Sequence, residues 1–168
     1  MAGLINDLLD VLNEQAENYE NLLALSREKH EVLVQNDVKS LQKITNVENI
    51  IVGNNQRLEK KRIKITGDIS TVLGKENTDM TLALLAQLIQ QQDEHPSLVN
   101  VMHRLRTAVE DLKLVNERNK SMLEFSMDYV DFTMNLVRGA VSDGIPAGFD
   151  SSINTPDAGR STLFNARQ

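Results

Sequence analysis

Apolar residues recur along this chain at alternating three- and four-residue steps, in long runs separated by short polar breaks. The first run reads Ile5, Leu8, Leu12, Gln15, Tyr19, Leu22, Ser26, Lys29 and Leu33, widened on one side by Leu9, Ala16 and Leu23. That spacing returns to one side of a helix every two turns and predicts a coiled-coil-like seam over residues 3–35. The break is "QND" at 35–37, where Asp37 can cap a second helix over 37–73.

The second seam reads Leu41, Ile44, Glu48, Ile51, Asn55, Leu58, Arg62, Ile65, Ile69 and Val72. One of its heptad columns is aliphatic throughout. The other carries Glu48, Asn55 and Arg62, which cost stability and can fix register. Gly53 and Gly67 weaken the helix locally, each by about 1 kcal/mol relative to Ala. The short break before this helix predicts that helices one and two run antiparallel.

Gly74 ends the second run. After the loop "KENTD", Thr78 or Asp79 can cap a short third helix over 79–92. Pro96 separates this from the longest run, 97–138, whose seam reads Leu98, Met102, Leu105, Val109, Leu112, Asn116, Asn119, Leu123, Ser126, Val130, Thr133 and Val137. From Gly139 the period stops and Gly, Ser, Asp and Pro dominate. Residues 139–168 are therefore expected to be a flexible, disordered tail, and 1–138 the folded part.

The resulting fold class is all-α: an elongated antiparallel bundle of three long helices and one short one. Composition agrees with this, because only 4% of residues are aromatic and three of the 168 are proline.

The long fourth helix is uneven. Beside its seam runs a second stripe of Val115, Met122, Phe125, Tyr129, Phe132 and Leu136, and Met127 and Met134 widen it further. An apolar surface wider than one seam needs a second element to cover it. Met122, Phe125, Tyr129, Phe132 and Leu136 are therefore candidate partner-binding residues. The thick end of the protein's own core, or a homodimer contact, would use the same side chains. In the tail, Phe149, Ile153, Leu163 and Phe164 are isolated apolar residues in a segment unable to form its own core. Such residues can anchor on a partner, or dock onto the bundle itself.

Charge and chemistry narrow the function classes. A net charge of −6 gives no support to phosphate-driven nucleic-acid binding. No apolar run approaches the roughly 20 residues that span a bilayer, and the N-terminus lacks a signal-peptide pattern, so no membrane insertion and a cytoplasmic location are expected. With no cysteine and only His30, His95 and His103, no metal or cofactor site is expected. A histidine phosphotransfer domain is also a helical bundle, but Lys and Gly do not follow His30 or His103 as that pattern requires. No nucleophile elbow occurs, so an enzyme is not expected. The basic run "EKKRIK" at 59–64 reads as a solvated helix face, with an acidic partner as the sharper alternative.

Three segments in order, "YENLLALSREKHEVLVQNDVKSL", "VENIIVGNNQRLEKKR" and "LVNERNKSMLEFSM", resemble the FlgN-type flagellar export chaperones. Glu48, Glu59 and Arg62 match the acid and arginine positions of that pattern, and Asn116, Asn119, Met122 and Leu123 its late signature. The resemblance covers residues 5–137 and leaves the tail unmatched. It implies a cytoplasmic, non-enzymatic, type III export chaperone. Such a protein binds hook-associated (hook–filament junction) proteins through its C-terminal part, prevents their premature assembly and aids their delivery to the flagellar export gate. Asn116 and Asn119 are expected to set register inside the bundle. The competing reading is a coiled-coil structural or signalling adaptor that dimerises through the same stripes.

Overall fold

The computed structural model describes the backbone of residues 2–75 and 80–144, with side chains over 3–75 and 80–139. Among these residues there are four helices and no strand: α1 (Ala2–Val34), α2 (Val38–Val72), α3 (Leu82–Leu88) and α4 (His95–Gly144). The chain divides into two units, Met1–Ser126 and Met127–Gln168.

The break at 35–37 does two jobs. Asn36 adopts a positive φ of 54°, a conformation its short polar side chain tolerates. The Asn36 and Asp37 amides donate back to the Leu33 and Val32 carbonyls at 3.2 and 3.1 Å, the Schellman closure of a helix. Asp37 then caps α2 by accepting from the Ser40 amide at 3.1 Å. The end of α2 repeats the device with glycine: Gly74 has φ 65°, and Lys75 donates to the Ser70 carbonyl at 2.9 Å.

Side-chain pairs fix the directions. Gln15 meets Glu59 and Asn18 meets Asn55, and Lys29 pairs with Glu48, so α1 and α2 run antiparallel as expected. Arg104 meets Glu20, and Asn116 and Asn119 meet Ser26, so α1 and α4 run parallel. The core sits where the first half of α1, the second half of α2, α3 and the start of α4 converge. Ile5, Leu8, Leu12, Ile69, Leu85 and Leu98 are fully buried there.

Both ends of α3 and of α4 differ from the sequence reading. The caps expected at Thr78 and Asp79 lie outside the described residues. Thr81 caps α3 by accepting from the Leu84 amide at 3.1 Å. Helix α3 spans seven residues, and turns occupy 89–94. Helix α4 begins at His95, with the Glu94 carbonyl accepting from Leu98. Pro96 lies in its first turn, where a missing amide hydrogen costs nothing. At the other end α4 runs on to Gly144.

Candidate partner-binding surface

The surface is built from a conflict between the α4 pattern and its environment. Within the first unit, the buried or half-buried side of α4 reads Leu98, Val101, Leu105, Ala108, Leu112, Val115, Asn119, Met122 and Ser126. This keeps one expected column, at 98, 105, 112, 119 and 126. The other is kept only in part: Met102 packs half-buried against the core and Leu123 is half-buried, but Val109 is exposed and the neighbouring Val101 and Ala108 are buried. Val115 and Met122 therefore belong to the packed side.

In heptad register the column 101, 108, 115, 122 continues through Tyr129 and Leu136, which are 63% and 57% exposed. The other column ends in Ser126 and Thr133, and Thr133 is exposed. From 127 to 137 seven large apolar side chains are between 48% and 63% exposed: Met127, Tyr129, Val130, Phe132, Met134, Leu136 and Val137. Val130 and Val137, read from sequence as interior seam positions, are uncovered. The signal that could have shown this is length. A helix of 33 residues, α1, cannot pair along all 50 residues of α4.

At 100° per residue these seven side chains occupy an arc of roughly 220°, and Asp128, Asp131, Asn135 and Arg138 fill the rest. A solvated helix needs no such arc, and singly scattered apolar residues do not form one. Two methionines in it can adapt to irregular partners. In the first unit, Phe125 is 72% exposed and Met122 half-buried. The structure thus brings Tyr129, Phe132 and Leu136 together on one exposed helical segment. Phe149, Ile153, Leu163 and Phe164 lie outside the described residues.

The polar signature residues do something else. Asn119, 5% exposed, donates to the Ser26 carbonyl at 2.7 Å, and the Ser26 hydroxyl donates to Asn116 Oδ1 at 2.7 Å. His30 Nδ1 lies 3.0 Å from Asn119 Oδ1. That oxygen can only accept, so Nδ1 carries the proton. Glu59 is chelated by Arg62, whose Nε donates at 2.8 Å, and accepts from Gln15. The Arg62 hydrogen bonds hold the Glu59 carboxyl below its ordinary range, against the opposing pull of partial burial. These groups join helices.

A groove of about 480 Å³ between α1 and α4 is lined by Arg27, His30, Glu31, Asp111, Leu114, Val115 and Arg118. Its two arginines are matched by two acids, so the lining carries no net formal charge that would select a charged ligand. Among the described residues no group of three or more His, Asp or Glu is placed to hold a metal ion, and no helix is long and apolar enough to cross a membrane.

The described residues thus form an all-α fold whose fourth helix carries an uncovered apolar segment. The model of the FlgN protein family matches residues 1–147, and the chain belongs to that family. It is thus a flagellar export chaperone, one of a family that binds flagellar export substrates. No curated protein and no solved structure matches it significantly.

Proposed function

We propose that this chain is a cytoplasmic type III flagellar export chaperone for hook-associated (hook–filament junction) proteins. It covers their assembly surface, prevents premature polymerisation and aids their delivery to the flagellar export gate. The carrying observation is the exposure of Tyr129, Phe132 and Leu136 with their four apolar neighbours on α4.

Proteins that polymerise through amphipathic helical ends expose apolar stripes before assembly. A helix carrying its own uncovered stripe packs against such an end as an extra helix would, in helix-in-groove fashion. The exchange needs no nucleotide, because both states bury the same kind of surface and a better competing site draws the substrate off. The binding residues are Met122, Phe125, Tyr129, Phe132 and Leu136, joined by the tail residues Phe149, Ile153, Leu163 and Phe164. No catalytic group takes part.

Light scattering of a purified junction protein under polymerising conditions tests this reading. Stoichiometric addition of the chain is expected to hold scattering at the monomer level. Unchanged polymerisation at saturating chain would contradict the proposal.

A further inference from the structure

The charge of the chain is unevenly placed. Helix α2 carries seven Lys and Arg against three Asp and Glu, a surplus of four, so the remainder of this −6 chain carries −10. Two of the three acids are already engaged: Glu48 with Lys29, and Glu59 with Arg62. Lys39, Lys43, Arg57, Lys60 and Lys64 are exposed and take part in none of the ion pairs among the described residues.

These five cations lie on one line. Together with Asn46, Ile50, Gly53 and Gly67 they follow strict four- and three-residue steps from 39 to 67, on the side of α2 opposite its buried Ile44, Leu58 and Ile65. The line is a second heptad seam, facing outward, about 42 Å long at 1.5 Å per residue. Ile50 is 74% exposed on it. Gly53 and Gly67 stand two heptads apart with Lys60 midway. A Cβ added at either would meet nothing within 4 Å among the described residues, so packing there does not require glycine, although each weakens the helix relative to alanine.

We propose that this outer face of α2 docks an acidic helix of a partner protein, at a surface that shares no residue with the apolar segment of α4. The cations select acids flanking the partner's own seam, as flanking charges do in paired helices. The glycines let the partner backbone approach at two points where side chains would hold it off. An acidic helix fits better than nucleic acid or an anionic membrane, because a surface that extends further around the protein meets α1, which carries seven Asp and Glu against two Lys and Arg.

The test uses the full chain and a labelled synthetic helix of about four heptads, with alanine at its seam positions and glutamate flanking them, read by fluorescence anisotropy. Saturable binding is expected, weakening as salt rises from about 50 to 200 mM. The triple variant Arg57→Glu, Lys60→Glu, Lys64→Glu should weaken it by about tenfold or more. Gly53→Leu with Gly67→Leu should also weaken it while raising helical stability, since leucine is the better helix former. Phe132→Ser should leave it unchanged. No saturable binding, or binding indifferent to the charge reversals, would overturn the proposal. Loss on charge reversal with the leucine variant unaffected would overturn it in favour of diffuse electrostatics. Equal binding of transfer RNA or phosphatidylserine vesicles would overturn it in favour of a general polyanion surface.

Discussion

The amide of Asn119 donates to the main-chain carbonyl of Ser26 at 2.7 Å from a side chain only 5% exposed, and so ties α4 to α1 one turn from His30. A buried hydrogen bond of this kind is worth more when broken than when made, because its partners are left unpaired away from water. Asn119→Ala is therefore expected to cost about 1–3 kcal/mol in urea unfolding. A value near zero would mean that the amide is replaceable by water.

Lys29 and Glu48 pair across α1 and α2 with side chains 21% and 14% exposed. Removing one partner strands a desolvated charge, whereas replacing both with apolar groups does not. Glu48→Ala is expected to destabilise by about 3 kcal/mol, and the double variant Lys29→Met, Glu48→Leu by much less. Equal losses in the two would show that the pair is effectively solvated.

Glu59 supplies the acid response. Hydrogen bonds from Arg62 lower its carboxyl below the ordinary value, burial opposes them, and Gln15 adds a smaller lowering. A carboxyl depressed in the folded state contributes stability above its unfolded pKa, and that contribution is lost as pH falls through the folded value. Between about pH 6 and 3 the urea midpoint of the native chain should therefore fall further than that of Glu59→Gln. Parallel curves would remove Glu59 from the account.

Core and surface separate cleanly by substitution. Leu98 is fully buried where α4 joins the core, so Leu98→Ala should cost about 2–5 kcal/mol. Phe132 is 60% exposed, so Phe132→Ser should change stability by no more than about 0.5 kcal/mol. A large loss at Phe132 would mean that it is covered in the folded chain.

Apart from Val72, which is exposed, the seams of α1 and α2 were readable because each has one clear apolar side, and polar seam residues such as Gln15 and Asn55 pair across helices. Asn36 and Asp37 were readable as a break because their side chains suit a left-handed closure and a cap. In α4 one column was readable and the other only in part, with Met102 and Leu123 half-buried but Ala108 buried in place of Val109. Apolar groups flank the shared column on both sides there, and period alone cannot choose between Ala108 and Val109. The same ambiguity hid the exposure of Val130 and Val137. The aromatic stripe was legible as surplus apolar surface. What covers it is not encoded in the period of the helix that carries it.

The most direct test of the chaperone account is titration calorimetry of a purified hook–filament junction protein against the native chain and the variant Tyr129→Ser, Phe132→Ser, Leu136→Ser. Stoichiometric binding by the native chain, weakened by about a hundredfold or more in a variant of unchanged stability, is the predicted result. Binding that is equal in both, or absent from both while the native chain forms a tight homodimer, would contradict it.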